Sequence, residues 1–181
     1  MKTNVVLFLI FLGLVSCLRP EPRKPIQRKT SFNDNVSIEF NKQLNSKEEA
    51  LFKLYMEQDS LKVYNSSSNG FWYTYNHKSE NTKISKTGDI IEYNYEISTL
   101  DNNIIYNSNE IGKVNYIVDK QEIIKGLQFG LKLMNEGDVV TFLFPSHLAY
   151  GFIGDQNKIE INQQLIYKVQ LLKINVKNES I

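Results

Sequence analysis

The segments Gln121-Glu122-Ile123-Ile124-Lys125-Gly126-Leu127 and Pro145-Ser146-His147-Leu148-Ala149-Tyr150-Gly151 decide the fold of this chain. In the first, an apolar pair enters a stretch with helical spacing that carries a glycine, and an alternating strand follows. The second is a turn of small and aromatic residues that precedes another alternating strand. This order predicts a small antiparallel sheet that wraps one helix and leaves a hollow lined by aromatic side chains.

Length and composition allow one core of ordinary size. The chain has 181 residues, 41% of them hydrophobic, which favours a single domain with extensions. The formal net charge is +1, and removing the first sixteen residues, which include Lys2, leaves 20 basic against 20 acidic side chains. This balance argues against a general attraction to nucleic acid, so none is expected as a partner.

The first residues have the pattern of an export signal. Lys2 precedes an apolar run from Val5 to Val15, which is shorter than the roughly 20 residues that a helix needs to span a bilayer. Leu14-Val15-Ser16-Cys17 resembles the lipobox of bacterial lipoproteins, in which cleavage precedes a lipid-carrying cysteine. We expect residues 1–16 to be a cleaved signal peptide and Cys17 to be the lipid anchor. The alternative is an ordinary signal peptide with an incidental cysteine.

A basic tether and a helix are expected after Cys17. Three of the four prolines lie between Leu18 and Lys29, and residues 17–45 are interpreted as a stiff tether. Ser46-Lys47-Glu48-Glu49 has the Ser-x-x-Glu pattern of a helix start, followed by apolar residues at helical spacing. The segment 46–66 is therefore expected to hold an N-terminal helix that packs on its own domain or acts as a spacer. Dimer formation is the less favoured alternative.

Alternating apolar residues predict the strands of the sheet. They occur in Phe71–Tyr75, Ile90–Ile97, Ile104–Tyr106, Val114–Val118, Asp138–Phe144 and Gln164–Leu171. Between the strands only Ile124–Met134 has helical spacing, with Leu127, Leu131 and Met134 on one face. One helix against one antiparallel sheet defines an α+β fold. We expect this domain to occupy residues 70–176, followed by a tail at 177–181.

Five segments of this region resemble, in order and spacing, the FKBP-type peptidyl-prolyl cis-trans isomerases. They are Ile91-Glu92-Tyr93, Tyr106-Asn107-Ser108, Ile123 to Leu127, Ala149-Tyr150-Gly151 and the closing strand Leu165 to Ile174. The resemblance implies an FKBP-like antiparallel sheet wrapped around one short helix. It also implies isomerisation of X-Pro bonds without a metal or another cofactor.

The N-terminal features extend the resemblance. With the lipobox, the tether and the entry Gly70-Phe71-Trp72-Tyr73, the whole chain is similar to the gliding-motility-associated FKBP-type lipoproteins of Bacteroidetes. This similarity implies proline-containing exported polypeptides as partners and a lipid-anchored place in the cell envelope. Leu18 after Cys17 offers no acidic retention signal, which favours the outer membrane on its periplasmic side.

The resemblance also implies the site residues. In the family, the tyrosine of Ala-Tyr-Gly donates its hydroxyl to a substrate carbonyl, and the amide of the second residue of the apolar pair donates to another. Tyr150 and Ile124 are expected to take these roles, with Tyr93 and Asn107 completing the catalytic set. The implied substrate-binding residues are Tyr106, Val114, Ile123, Leu127, Ile159 and Tyr167. Each tyrosine taken alone could equally be an ordinary core residue, since the chain has ten.

Three departures from the family pattern alter the surroundings of these residues. Asn107 stands where the family usually has an aspartate, so an acceptor remains but the charge that orients a neighbouring tyrosine is lost. Leu127 replaces a frequent tryptophan, and Ile159-Glu160-Ile161-Asn162 replaces a proline-rich flap, so a more mobile lip is expected. The alternative to an enzyme is therefore a low-activity binding module or chaperone for proline-containing segments in a surface or motility assembly.

Other chemistries have little support in the sequence. His77 and His147 are the only histidines and lie far apart, and no Cys or His cluster has metal-ligand spacing, so no metal is expected. Ser146 and His147 are neighbours on an extended segment and would point to opposite faces, which argues against a hydrolase triad. His147 is expected to be a surface loop residue.

Overall fold

The computed structural model describes residues 32–176, with the side chains of 32–34 left aside. The proposed signal peptide, Cys17 and the tail 177–181 lie outside these residues. The chain divides into two compact units, Met1–Ile38 and Glu39–Ile181, and in the first only the start of a helix is described. No helix among the described residues is long and apolar enough to cross a membrane.

The described part of the chain is a helix followed by a sheet with two short helices. The helices are α1 (Phe32–Gln58), α2 (Ser108–Ile111) and α3 (Lys125–Leu131), and a 3-10 helix covers Ser146–Leu148. The strands are β1 (Asn65–Ser66), β2 (Trp72–His77), β3 (Ile90–Ser98), β4 (Ile104–Tyr106), β5 (Val114–Ile117), β6 (Val139–Phe144) and β7 (Leu165–Asn175). The predicted strands and the predicted helix are confirmed to within a few residues at their ends.

All strand pairs in the sheet are antiparallel. The strand order is β1-β2-β6-β7-β3-β4, and β5 pairs with the first half of β3 while β4 pairs with its end. The longest strand, β7, lies between β6 and β3. This arrangement confirms the α+β fold class and places the first half of β3 between β5 and β7, at the centre of the candidate site.

Two glycines allow α3 to lie directly on the sheet. A Cβ atom at Gly126 would stand 2.7 Å from the Phe144 ring, and one at Gly130 would stand 3.0 Å from the Phe142 ring. The two phenylalanine rings stack 5.3 Å apart under the helix. The predicted apolar face of α3 is buried against them, since Leu127, at 4%, is its most exposed member. The close approach therefore requires residues without side chains at both positions.

The other face of the sheet is covered by the second half of α1. Because neighbours on a strand point to opposite faces, Leu143 lies away from α3 and packs with Phe52 and Ile166 in a separate small core. Phe52 also contacts the Trp72 ring, with the centroids 5.4 Å apart. The expectation that the N-terminal helix packs on its own domain is confirmed for this part of the helix.

The predicted bounds of the N-terminal helix were wrong. The helix begins at Phe32 and ends at Gln58, so residues 32–45, which were assigned to the tether, are helical. The Ser-x-x-Glu pattern at 46–49 lies inside the helix, where the Glu49 carboxylate pairs with Lys53 one turn later at 2.9 Å. The Gln43 side-chain amide also reaches across one turn, donating a hydrogen bond to the Glu39 carboxylate at 3.0 Å. A pattern that suits a cap also suits such i,i+4 pairs.

Candidate functional site

Nine of the ten residues expected in the site belong to one continuous apolar cluster. Strands β3, β4, β5 and β7, the start of α3 and the loops around Tyr150 and Ile159 contribute to it. The nine are Tyr93, Tyr106, Val114, Ile123, Ile124, Leu127, Tyr150, Ile159 and Tyr167. The fold therefore gathers residues that are up to 74 positions apart in the sequence, from Tyr93 to Tyr167.

Three tyrosines form a stack at the centre of this cluster. The Tyr95 ring lies 5.7 Å from the Tyr93 ring and 5.5 Å from the Tyr167 ring, with interplanar angles of 25° and 23°. Tyr93 and Tyr95 share one face of β3 because they are two residues apart, and Tyr167 follows on β7 opposite Ile97. Stacked rings of this kind give a rigid apolar wall.

The stack keeps its phenol groups protonated. Burial is the largest cause that raises the pKa of Tyr93 and of Tyr167 above the ordinary tyrosine value. Tyr150 raises the pKa of Tyr167 further, through its nearby charge when ionised and through a hydrogen bond between the two side chains. The pKa of Tyr95 is also raised, first by burial and then by Tyr150 and Tyr106. The ordinary tyrosine pKa of about 10 already keeps these hydroxyl groups protonated at neutral pH, and burial moves their ionisation to still higher pH.

Tyr150 is placed by a tight loop that follows β6. The carbonyl of Ser146 accepts hydrogen bonds from the backbone N–H groups of Ala149 at 3.0 Å and Gly151 at 2.8 Å, on either side of Tyr150. Gly151 has a positive φ of 59°, a conformation that glycine adopts without strain. Tyr150 is half-buried against the cluster, so the loop fixes its backbone while part of its side chain stays accessible.

A buried carboxylate from α1 holds the start of this loop. Glu48 is 1% exposed, and its two oxygens accept from the Ser146 hydroxyl at 2.6 Å and the Ser146 N–H at 3.0 Å. Sequence reasoning missed Glu48, although it lies four residues before Phe52 on the buried face of the helix. The spacing of four residues to Phe52 could have indicated that Glu48 lies on the buried face of the helix. Both the hydroxyl and the N–H of Ser146 therefore donate to Glu48.

His147 is exposed on the 3-10 helix, which agrees with the expectation of a surface residue.

The start of α3 presents a backbone donor to the site. Ile124 precedes the helix with φ of −55° and ψ of 141°, and its carbonyl accepts from the N–H of Gln128 at 3.1 Å. Within residues 32–176, no hydrogen bond uses the N–H of Ile124. Leu127, one turn later, is 4% exposed and contributes its side chain to the cluster. Val114 lies beside Tyr93 in the β3–β5 pairing.

The side chain of Asn107 caps a short helix, and its expected catalytic role stays a prediction. Its side-chain oxygen accepts from the N–H of Glu110 at 2.8 Å and caps α2, and the residue is exposed. The carboxylate partner of a site tyrosine is instead Asp155, whose Oδ2 accepts from the Tyr106 hydroxyl at 2.6 Å. This hydrogen bond is the main cause that raises the pKa of Tyr106.

Asp155 belongs to the segment that we call the lip, residues 151–164. Desolvation, the largest single effect, acts to raise its pKa, but the hydrogen bonds from Tyr106 and from backbone N–H groups, including that of Ile159, outweigh it and lower the pKa on balance. Ile159 is 4% exposed. The N–H of Asn162 also donates to the Gly151 carbonyl at 2.7 Å. The greater mobility expected of this proline-free segment stays a prediction. Hydrogen bonds from Asn162 to Gly151 and from Ile159 to Asp155 join distant residues within the lip.

No group of three His, Cys, Asp or Glu side chains that could hold a metal ion occurs in the part of the chain that the structure describes. The chemistry available at the site consists of an apolar wall, phenol donors and a backbone N–H. Such a set suits the binding of a planar or twisted amide next to an apolar ring.

An antiparallel sheet over one short helix, with this tyrosine-rich site, defines an FKBP-like domain. Residues 81–172 match the FKBP-type peptidyl-prolyl cis-trans isomerase family, and the chain belongs to that family. It is 31% identical over 142 residues, 77% of this chain and 54% of the relative, to the FKBP-type peptidyl-prolyl cis-trans isomerase FkpA of Buchnera aphidicola.

Two further relatives support the same assignment. The chain is 30% identical over 128 residues to the probable isomerase FkpA of Neisseria meningitidis, covering 71% of this chain and 45% of the relative. It is 29% identical over 92 residues to peptidyl-prolyl cis-trans isomerase FKBP9 of Homo sapiens, covering 50% of this chain and 16% of the relative. The chain thus spans about half or less of the length of these proteins.

Proposed function

We propose that this chain is a peptidyl-prolyl cis-trans isomerase that acts on proline-containing exported polypeptides. The observation that carries the proposal is that Tyr150 and Ile124, whose N–H makes no hydrogen bond within residues 32–176, are both half-buried against the apolar cluster that contains the tyrosine stack. Rotation about an X-Pro bond must break amide resonance, at a cost of about 18–20 kcal/mol. A site accelerates rotation when it binds the twisted amide better than the planar one.

Two interactions are needed for this mechanism, and we assign each of them to residues of the site. Tyr93, Leu127 and Tyr167 are buried in the core behind the site. The half-buried side chains in front of them, Tyr95, Val114 and Ile123, are the proposed apolar surface for the pyrrolidine ring. The Tyr150 hydroxyl and the Ile124 N–H donate to carbonyl oxygens on the two sides of the reacting bond. Donors fixed before the reaction stabilise a twisted amide without reorganisation. Rotation requires neither a nucleophile nor a bound metal, since no covalent bond is made or broken.

The direct test is NMR exchange spectroscopy of a short X-Pro peptide with the full chain in detergent micelles. The wild type is expected to increase the exchange rate between cis and trans forms. Tyr150→Phe is expected to lower kcat/KM by about 10- to 100-fold through loss of one fixed donor. Leu127→Asp should abolish the acceleration because it places a charge in the apolar cluster. Absence of acceleration by the wild type would refute the proposal.

The second candidate is a module that binds proline-containing segments and turns them over slowly, in a surface or motility assembly. The observation that favours it is Asn107, which caps α2 and carries no charge at the position where the family usually has an aspartate. Peptide binding by the wild type with no change in exchange rate would support this candidate. If site variants leave partner recovery intact while replacement of the exposed Leu51 and Leu54 by alanine abolishes it, the N-terminal helix is the binding element.

We further propose that the domain is anchored in the cell envelope through lipid on Cys17, on the periplasmic side of the outer membrane. The support is the Leu14-Val15-Ser16-Cys17 pattern. Metabolic labelling with a fatty acid, followed by membrane fractionation, tests the anchor. The label should be lost in Cys17→Ser.

Gliding motility is the process that we propose for the anchored domain. Normal gliding after deletion of the gene for this chain would exclude a role in gliding.

A further inference from the structure

Asp155 is the most heavily hydrogen-bonded side chain near the site. Its Oδ2 accepts from the Tyr106 hydroxyl at 2.6 Å, and its Oδ1 accepts from the N–H groups of Asn157 at 2.9 Å and Ile159 at 2.7 Å. The amide of Asn157 then donates to the Tyr106 oxygen at 3.0 Å. One carboxylate therefore joins a side chain on β4 to the backbone of the lip.

The backbone around Asp155 is shaped for this arrangement. The N–H of Asp155 donates to the Ile159 carbonyl at 3.2 Å, so both N–H and carbonyl of Ile159 are bonded to Asp155. Gly154 has a positive φ of 68°, and a Cβ atom there would lie 2.4 Å from the Ile159 carbonyl oxygen. Only glycine fits at this position. The loop from 155 to 159 is thus a closed unit, and the carboxylate is its centre.

A second, independent contact ties the same unit to Tyr106. The Lys158 ammonium lies 4.6 Å from the centre of the Tyr106 ring and 3.0 Å from the Glu110 carboxylate on α2. The charged groups beside Asp155 and Tyr106 in these contacts are the Lys158 ammonium, which lies over the Tyr106 ring, and the Glu110 carboxylate, which pairs with Lys158. Tyr106 and Ile159 are both members of the apolar cluster that contains Tyr150, so the position of the lip determines how two site residues face each other.

We propose that Asp155 is a positioning residue of the isomerase site, which holds Tyr106 and Ile159 in the arrangement that receives the substrate. The proposal rests on the proposed isomerase function. Asp155 thus places a carboxylate on Tyr106, next to the uncharged Asn107, and does so from the lip. Because it orders the site before the substrate binds, its loss should weaken substrate binding more than the rotation step.

The experiment compares four full-length variants by NMR exchange with an X-Pro peptide of no net charge. Asp155→Ala is expected to raise KM about tenfold while kcat stays within about twofold. Asp155→Asn keeps Oδ1 for the two backbone N–H groups, and its Nδ2 can donate to the Tyr106 oxygen but cannot accept from it, so it should raise KM less than Asp155→Ala. Tyr106→Phe loses the hydroxyl and keeps the ring, and it should also raise KM less than Asp155→Ala. Glu160→Gln removes a charge from the same lip and should leave KM unchanged.

Coupling between the two partners separates a specific bond from a general effect. Asp155→Ala combined with Tyr106→Phe should raise KM by less than the product of the two single increases, because both single changes remove the Tyr106–Asp155 hydrogen bond. Additive losses in KM would overturn the proposal, as would an Asp155→Ala variant whose KM stays within twofold of the wild type. Asp155→Asn keeps the test valid if Asp155→Ala does not fold.

A readout that does not depend on catalysis distinguishes this proposal from the proposed function. Amide hydrogen exchange of Ile159 should accelerate at least about tenfold in Asp155→Ala and stay slow in Glu160→Gln. If the wild type fails to accelerate exchange in the peptide, the isomerase function fails, and the dissociation constant of the peptide replaces KM in the same comparison. Unchanged Ile159 protection and unchanged peptide affinity in Asp155→Ala would refute the positioning role by itself.

Discussion

Replacement of Glu48 by alanine tests whether the N-terminal helix is part of the domain that carries the site. Glu48 is 1% exposed, and its carboxylate accepts both the N–H and the hydroxyl of Ser146. Hydrogen bonds to charged groups contribute about 1.5–3 kcal/mol each, and a buried donor left without a partner costs about 1–3 kcal/mol. The desolvation of the carboxylate in the wild type offsets part of this sum.

From these terms we expect Glu48→Ala to lower the free energy of unfolding by about 3 kcal/mol. For a protein of this size, 1 kcal/mol corresponds to about 2–4 °C in Tm, so the shift should be about 6–12 °C. Glu48→Gln keeps one acceptor and loses the charge, and it should cost about 1 kcal/mol. The matched control is Glu49→Ala, because Glu49 is 52% exposed in its ion pair with Lys53 and should contribute less than about 1 kcal/mol.

Urea unfolding followed by circular dichroism gives the free energies, and NMR exchange with an X-Pro peptide gives the activity of the folded variant. Because the Ser146 carbonyl holds the N–H groups on both sides of Tyr150, kcat/KM of Glu48→Ala should fall by at least about threefold at a temperature where the variant is folded. An unfolding free energy equal to that of Glu49→Ala would refute the reasoning.

Three further predictions follow from single contacts. Gly126→Ala should destabilise the domain by about 1–3 kcal/mol in urea unfolding and more than Gly130→Ala, because its Cβ would lie 2.7 Å from the Phe144 ring rather than 3.0 Å from a ring. The pKa of Asp155 is lowered in the folded protein. Its contribution to stability is therefore complete above its unfolded pKa of about 3.9 and is lost as the pH falls through the lower folded pKa. Thermal melts of Asp155→Asn at a series of acid pH values should lack this part of the loss of stability. Asn107→Asp should keep the cap of α2 and change kcat/KM by less than about twofold, whereas Asn107→Ala should cost about 1 kcal/mol; a fivefold gain of activity in Asn107→Asp would show that the missing charge limits catalysis.

The sheet and α3 could be predicted from the sequence because their signals are local. Alternation with a period of two marks each strand, and Leu127, Leu131 and Met134 mark the buried face of the helix. The start of α1 was not predictable in this way, since the Ser46 to Glu49 pattern occurs both at helix starts and within helices. Tyr95 could have been predicted, because it is two residues from Tyr93 and must share its face of β3.

The polar contacts of the site could not be predicted because they join distant segments. Glu48 reaches a serine 98 positions later in the sequence, and Tyr106 reaches Asp155 across 49 positions. No periodic pattern records such a pair. The resemblance to the family placed an acceptor at Asn107, since it carries residues over one by one and cannot show that a carboxylate on the lip has taken up a tyrosine of the site.

The two carboxylates that sequence reasoning missed act on the two loops that complete the site. Glu48 fixes the loop that carries Tyr150, and Asp155 fixes the lip that carries Ile159, whereas the strands already fix Tyr93 and Tyr167 through backbone pairing. Loops lack a hydrogen-bond ladder of their own, so side chains must satisfy and orient their backbone groups. The sheet therefore provides the apolar wall, and two carboxyl side chains that do not belong to the wall determine the positions of the Tyr150 loop and of the lip.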